Sequence, residues 1–383
     1  MIWIRADGNS EIGTGHIMRC LSIAAALIEQ GKEVCFVTAD EEPTALLIKR
    51  NQQFRVLHTD YRDMEAELPI LLPILQKEQP ELVLFDSYFV TDKYLQEIGK
   101  YTRTAYIDDK CLAAYPVDTI INYNIYGNAS VYEGLDACEE MSVCEEMSAF
   151  ENMSGVRISI FHRKRNYLMG TAYAPLREEF QNIPYIVRPR AQNVLITTGG
   201  SDKYNLAGQI LRAALSASIT GSTTSADTCV TAESHTGVSS LQYHVVSGVF
   251  NKNFPELKIL EETYPNVHIH QNVTEMAKLM QECDIAVSAG GSTMYELCAV
   301  GVPIICFSFV DNQEQIVEAF VQKGLVIYGG NYLTEKEALV ENVVKNMRSL
   351  VTDKEKRAYY SGMERKLADG MGAMRIAKAL CGN

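Results

Sequence analysis

Two glycine-flanked turns carry the residue types that do chemistry on anionic ligands. The first, Ile12-Gly13-Thr14-Gly15-His16, lies between the apolar run Met1-Ile2-Trp3-Ile4 and a stretch in which Ile17, Leu21, Ala24 and Leu27 recur at helical spacing. A glycine turn between a strand and a helix gathers backbone N–H groups at the positive end of the helix, a place that suits a phosphorylated ligand. His16 falls in the first helical turn, which favours the neutral ring that a general base requires. The plainer reading is a histidine satisfied by its neighbours at a helix start. The second turn, Gly290-Gly291-Ser292-Thr293, follows the run Asp284 to Val287 and opens another helix. Its glycines let backbone approach a ligand, and its hydroxyls either cap the helix or donate to an anion. Glu296, one turn on, either accepts hydrogen bonds from a ribose diol or simply faces solvent.

Neither turn is a dinucleotide or nucleoside-triphosphate loop. Met18 stands where the dinucleotide fingerprint needs its third glycine, and no Gly-Lys-Ser/Thr is present. Asp86-Ser87-Tyr88 and Asp108-Asp109 follow apolar runs, where aspartates hold a metal or, more commonly, cap loops. His268 and His270 share one face of a strand, a spacing that binds metal less often than it serves structure. No metal and no cofactor are therefore expected. The 10 cysteines are scattered without a Cys-x-x-Cys, several inside apolar runs, and read as reduced thiols of a cytoplasmic protein. A formal net charge of −13 argues against a nucleic-acid partner, but not against a small anion held locally by N–H groups. The chain starts on a strand without a signal peptide, and no apolar run approaches the ~20 residues of a membrane helix.

Outside the turns, strand-like and helical runs alternate. In the first half strands are predicted at residues 1–4, 34–38, 82–85, 104–107 and 120–121, with residues 5–10 as a polar loop. Helices are predicted at 17–31, 42–51, 69–79 and 92–101. Such alternation implies a parallel sheet with helices on both faces, whose ligands gather beyond the carboxyl ends of the strands. Asp7, His16, Asp86, Tyr88, Asp108 and Asn124 all lie just past such ends. Residues 136–165, with the near-repeat Cys138-Glu139-Glu140-Met141-Ser142 and Cys144-Glu145-Glu146-Met147-Ser148, read as an acidic surface insertion. Prolines 184 and 189 mark a linker at 182–192. The alternation then restarts, with strands at 194–197, 243–249, 267–270, 284–287 and 304–307. Its helices are 204–216, 274–281 with Thr274 as N-cap, 294–299, 311–323, 335–350 and 353–380, the last broken near Gly370. Residues 216–242, rich in Ser, Thr, Ala and Gly, read as a second insertion. At 383 residues and 47% hydrophobic content, two domains are expected. They are 1–182 with the catalytic histidine and 193–350 with the nucleotide turn, while helices of 351–383 cross back.

The ordered set of motifs resembles a known family. Asp7-Gly8, Ile12 to Leu21, Asp86-Ser87-Tyr88, Ile107-Asp108-Asp109, Tyr173 to Arg177 with Glu179-Phe180, Gly199-Gly200-Ser201-Asp202, Gly290 to Glu296 and Asn312-Gln313 are similar to those of the UDP-2,4-diacetamido-2,4,6-trideoxy-beta-L-altropyranose hydrolases of pseudaminic acid biosynthesis. The resemblance implies an α/β fold that is GT-B-like, two Rossmann-like domains facing across a cleft. It implies hydrolysis of that UDP-linked diacetamido trideoxy sugar to UDP and the free sugar; a monomer is expected, and no metal is required where the helix N-terminus at Ser292 stabilises the departing diphosphate. On it, His16 is the base that activates water, and Tyr88 and Asn312 complete the catalytic set. Asp7, Gly13, Gly15, Arg19, Asp86, Gly200, Gly290, Gly291, Ser292, Thr293, Glu296 and Gln313 bind substrate, with residues 290–293 at the diphosphate and Glu296 at the nucleotide. The rival readings are a GT-B glycosyltransferase using a UDP-N-acetylhexosamine, a hydrolysing UDP-sugar 2-epimerase, and a nucleotide-sugar binder without activity.

Overall fold

The computed structural model describes residues 1–9, 11–111, 113, 115–135, 165–220 and 241–382, the side chains of 217–220 and 312 excepted. Nearly all of the two expected insertions, 136–165 and 216–242, lies outside the described residues. The chain divides into two compact units, Met1–Arg177 with Met371–Asn383, and Glu178–Gly370. The division falls ahead of the proline-marked stretch at 182–192, and residues 351–370 stay with the second unit.

The first unit is built on a seven-stranded parallel sheet in the order β3-β2-β1-β4-β5-β6-β7. The strands are β1 (Ile2–Ala6), β2 (Val34–Thr38), β3 (Gln53–Val56), β4 (Leu82–Asp86), β5 (Arg103–Ile107), β6 (Thr119–Asn122) and β7 (Asn166–Met169). Every residue of β1, β2 and β4 is buried, as expected for strands covered by helices on both faces. Arg5 is the correction here. It belongs to β1 rather than to a polar loop, and a buried Glu67 makes its burial tolerable. The edge strands β3 and β7 escape a sequence reading because they are short, partly polar and only half covered.

Helix α1 (Gly15–Glu29) follows the first glycine turn and ends at Gln30, where Gly31 takes the left-handed conformation that stops helices. Helices α2 (Thr44–Lys49), α3 (Leu68–Glu78) and α4 (Asp92–Gly99) complete the unit's first stretch. Thr91 caps α4, its side chain accepting from the amide of Tyr94. The core joins Trp3, Val37, Val83 and Phe85 of the sheet to Leu71, Leu75, Tyr94 and Ile98 of the helices. The chain's last helix also belongs to this unit and packs on α1, where Gln30 Nε2 meets Met374 Sδ at 3.3 Å. Gly372 at its start is required by close approach, since a Cβ there would lie 2.0 Å from the Ala174 carbonyl oxygen.

The second unit repeats the scheme with six parallel strands in the order β10-β9-β8-β11-β12-β13. They are β8 (Asn193–Thr197), β9 (Gln242–Val246), β10 (Val267–His270), β11 (Ile285–Ala289), β12 (Ile304–Ser308) and β13 (Ile327–Asn331). Its helices are α5 (Leu206–Thr220), α6 (Phe254–Thr263), α7 (Met276–Glu282), α8 (Thr293–Val300), α9 (Glu314–Gln322), α10 (Tyr332–Thr352) and α11 (Lys354–Glu364), which makes the returning helix Gly372–Cys381 α12. Several expectations are corrected. Helix α5 continues to Thr220 instead of giving way at Ser216. Thr274 does not cap α7, because Glu275 is the boundary residue and no side-chain cap bond forms. Helix α10 starts at Tyr332, earlier than expected, because the Asn331 side chain caps it by accepting from the Leu333 amide at 2.9 Å. Strand β13 went unseen because Gly329-Gly330 interrupt its apolar pattern, and α6 because it opens on Phe254-Pro255.

In each sheet the order reverses once, between β1 and β4 in the first unit and between β8 and β11 in the second. Loops leaving the carboxyl ends of two such neighbours diverge to opposite faces and open a crevice between them. Both glycine turns occupy these positions.

Candidate active site

In the first unit the loop after β1 folds back on itself. The backbones of Asn9 and Gly13 exchange hydrogen bonds, while Asn9 Oδ1 accepts from the amides of Glu11 and Ile12 at 2.9 and 3.0 Å. Gly13 sits at φ +75°, a conformation that strains other residues, and Gly15 opens α1. The second residue of the helix, His16, is thereby buried beside the end of β4. Its Nδ1 lies 2.6 Å from Asp86 Oδ1. At that distance a proton must lie between ring nitrogen and carboxylate, which makes Nδ1 the donor and leaves the Nε2 lone pair available.

Arg19, one turn along α1, grips the same carboxylate. Its Nε donates to Asp86 Oδ2 at 2.6 Å and its Nη2 to Oδ1 at 2.5 Å, while Nη1 reaches Asp109 Oδ2 at 2.7 Å and Tyr123 Oη at 2.6 Å. Burial opposes ionisation of Asp86, but Arg19 and then His16 outweigh it and hold the carboxyl well below its ordinary range. Tyr88, 39% exposed, meets the His16 ring edge to face at 4.7 Å between centroids, and its hydroxyl donates to Asp109 Oδ2 at 3.2 Å. Burial and the Asp109 carboxylate push that phenol up, so Tyr88 stays a donor at neutral pH. Asn124 Nδ2 donates to Asp109 Oδ1 at 3.2 Å.

Asp7 is buried and turned toward the protein. Its Oδ2 pairs with Arg5 Nη1 at 2.6 Å and its Oδ1 accepts from the Ala39 amide at 2.8 Å. Arg5 in turn binds Glu67, which also accepts from Tyr94 Oη at 3.0 Å. This fully buried network fixes the end of β1 and hence the loop carrying His16. Asp108 likewise serves its loop, accepting from the amides of Lys110 and Cys111 and from Tyr132 Oη.

In the second unit α8 begins directly after the turn at residues 290–292. Gly290 is obligatory, since a Cβ would lie 2.7 Å from Val317 Cγ2 and 3.0 Å from the Gln313 carbonyl oxygen of the next loop and helix. The Gly290 amide donates to Phe307 O, and those of Met294 and Tyr295 turn back to Gly291 O and Ser292 O. A helix start leaves the amides of Gly291, Ser292 and Thr293 without intrahelical acceptors. Ser292 is exposed and makes no side-chain cap bond; Thr293 and Glu296 are half-buried on the first turn. Gln313 Oε1 accepts from the Phe309 amide at 3.0 Å, closing the loop after β12. The side chain of Asn312 lies outside the described residues. Across the switch point, Gly200 is exposed in the loop after β8, and Asp202 anchors that loop by capping α5 through the amides of Leu206 and Ala207.

The first unit thus brings His16, Arg19, Asp86 and Tyr88 together, and the second brings together residues 290–293, Glu296 and Gln313. Sequence reasoning missed Asp109 as the shared acceptor of Arg19, Tyr88 and Asn124, although its place after β5 was visible. It also missed Tyr123 and the Arg5–Glu67–Tyr94 network. His244, His268 and His270 cluster on β9 and β10, with His244 Nδ1 3.1 Å from His270 Nε2. Among the described residues no group of three or more His, Cys, Asp or Glu is placed to hold a metal. No described helix is long and apolar enough to cross a membrane.

Residues 216–376 match the model of the glycosyltransferase family 28 C-terminal domain. The chain is 23% identical over 387 residues to the spore coat polysaccharide biosynthesis protein SpsG of Bacillus subtilis, covering 99% of this chain and 97% of that one. It is also 23% identical over 325 residues to the UDP-2,4-diacetamido-2,4,6-trideoxy-beta-L-altropyranose hydrolase of Campylobacter jejuni, covering 84% of this chain and 97% of the relative. Among solved structures it is similar to MurG of Acinetobacter baumannii, with a TM-score of 0.61 at 13% identity, covering 100% of this chain and 99% of the other. Its fold is therefore that of the GT-B glycosyltransferases, with two parallel-sheet α/β units in one chain.

Proposed function

We propose that this chain is a GT-B-type enzyme that hydrolyses a UDP-linked 2,4-diacetamido-2,4,6-trideoxy sugar, releasing UDP and the free sugar, with inversion at the anomeric carbon. The family model and the relatives support an enzyme of the GT-B type acting on nucleotide sugars. The observation that carries the hydrolytic reading is the 2.6 Å contact between His16 Nδ1 and Asp86. It orients the ring so that Nε2 takes a proton from water as the water attacks the anomeric carbon opposite the diphosphate. Tyr88, whose phenol proton is directed at Asp109, and Asn312 contact the sugar or order the site. Arg19 and Asp86 position the base rather than touch substrate, and Asp7 holds the loop from beneath. The amides of residues 291–293 receive the departing diphosphate, where developing charge meets preorganised N–H donors. Gly200 and Gln313 line the nucleotide's approach, and Glu296 accepts from its ribose. The site is cytoplasmic and belongs to a monomer that makes the free sugar for pseudaminic acid biosynthesis.

The test is incubation with the UDP-sugar alone, offered as altrose and gulose isomers, followed by proton NMR. UDP and free sugar accumulate in equal amounts, and the first-formed anomer has the opposite configuration to the substrate. The rate persists in EDTA if the amides alone carry the leaving group. The match to a glycosyltransferase domain favours a second reading, transfer to an acceptor. A transferase releases little UDP without its acceptor, and an epimerase returns UDP with a C2-inverted sugar from UDP-N-acetylglucosamine.

A further inference from the structure

Arg19 lies between two carboxylates, and only one of them touches the histidine. Asp86 takes Nε and Nη2 of the guanidinium and accepts from His16, while Asp109 takes Nη1 from the other side. Were Asp86 its only partner, the Arg19 charge would cancel the charge His16 faces, and proton uptake by the ring would gain nothing from its carboxylate. With Asp109 present, one cation is shared between two anions and the cluster keeps a net negative charge. That charge sits where an imidazolium forms as water loses its proton. Asp109 is itself firmly held. Asn124 Nδ2 donates to its other oxygen at 3.2 Å and Tyr126 Oη to its carbonyl oxygen at 2.9 Å.

We propose that Asp109 is a positioning residue for His16, which by countering the Arg19 guanidinium leaves the Asp86 carboxylate to act on the ring. The proposal rests on the hydrolysis reading for its kinetic consequence but not for its structural one. Besides Asp109, few polar and charged groups face the His16 ring or its partners. Among the described residues they are Asp86 at the end of β4, Arg19 on the ring's own helix, Cys20 beside it, whose thiol donates to Asp86 Oδ2 at 3.3 Å, Tyr88 on the loop after β4, Tyr123 on Arg19, Asn124 and Tyr126 on Asp109, and Lys110, whose Nζ lies 4.5 Å from the Tyr88 ring centroid. Of these, the charged ones are Asp86, Arg19 and Lys110, and Lys110 is exposed.

Asp109→Asn tests the idea, because the amide oxygen still accepts from Arg19 while the charge is lost, and the amide nitrogen that replaces Oδ1 requires only that the Asn124 carboxamide turn its oxygen toward it. The expected result is kcat lowered about tenfold or more with KM little changed, and an acid limb of the pH–rate profile moved to lower pH. Asp109→Glu restores the parental limb. An unmoved limb in Asp109→Asn overturns the proposal. Ring nitrogen-15 NMR supplies a readout independent of turnover, with the His16 signals identified by their loss in His16→Ala. The parent and Asp109→Asn both show the Nδ1–H tautomer, because Asp86 still holds it, but the ring signals change with falling pH later in Asp109→Asn, whereas Tyr88→Phe, which removes a neutral partner, leaves their pH course in place. An identical pH course of the ring signals in parent and Asp109→Asn also overturns the proposal. A parent that releases no UDP sinks the hydrolysis reading and leaves this NMR arm standing.

Discussion

The two units solve the same topological problem with different materials. At the first switch point, between β1 and β4, the groups gathered are side chains: a histidine, an arginine and two aspartates joined by contacts of 2.5 to 2.7 Å. At the second, between β11 and β8, they are backbone amides at the start of α8, and the side chains on the turn make no cap. A parallel sheet supplies the crevice in both cases, and the loop residues decide whether it presents titratable charge or fixed dipoles. Side-chain sites move protons but depend on every partner staying in place. Amide sites hold anions without titrating and depend only on the path of the chain.

If this contrast is right, conservative changes cost most in the first unit. His16→Ala is expected to lower kcat by about 10² to 10⁴ while UDP affinity by calorimetry stays within a few-fold. Asp86→Asn changes no volume, yet it frees the ring to take the other tautomer, and a loss approaching that of His16→Ala is expected in the same assay. Parental turnover in either variant removes the proton-transfer role from this unit.

The backbone half of the contrast is sharpened by changes in the second unit. Gly290→Ala places a methyl against Val317 and the Gln313 carbonyl, so the turn must shift away from α9. A stability loss of about 1–3 kcal/mol is expected, with weaker UDP binding measured alongside the thermal midpoint. Ser292→Ala removes an exposed hydroxyl that caps nothing, and UDP affinity should fall by no more than about threefold, because the amides remain. A larger loss for Ser292→Ala than for Gly290→Ala would invert the assignment of amide and side chain.

The same contrast explains what the sequence revealed. Glycine turns after buried strands are visible in one dimension, because Gly, Ser and Thr at a strand-to-helix junction have few other uses. Both turns, and the central strands at Ile2–Ala6, Leu82–Asp86, Ile285–Ala289 and Ile304–Ser308, were legible for that reason. Edge strands such as Gln53–Val56 were not, since a half-covered strand needs no apolar run. Pairings were hidden for a different reason. Arg19 reaches Asp86 and Asp109 across 67 and 90 residues, and no spacing rule links such positions. Arg5 looked like the start of a loop because its partner Glu67 lies 62 residues away. The kind of group at each site was readable, but the hydrogen bonds that give His16 and Asp109 their roles became visible only in three dimensions.

The smallest expected effect concerns titration away from either switch point. In the second unit His244 is pressed between His270 and His268, with ring centroids 5.3 and 5.0 Å away. Burial, then His270, then His268 push it down to about 4 from an ordinary value near 6.5. Burial and His268 also lower His270. His244 and His270 are neutral in the folded protein at pH 7 and take up protons more readily when unfolded. The stability tied to His244 is therefore complete above about pH 6.5, is lost progressively as pH falls toward 4, and changes no further below that. Because the cluster is half exposed, the loss is about 1–2 kcal/mol rather than the full value of the shift, or a few degrees in thermal midpoint. His244→Gln should flatten that part of the midpoint-against-pH curve relative to the parent, while carboxylates elsewhere titrate equally in both. If the two curves stay parallel from pH 7.5 to 4.5, the stacked histidines are not what makes the second unit acid-sensitive.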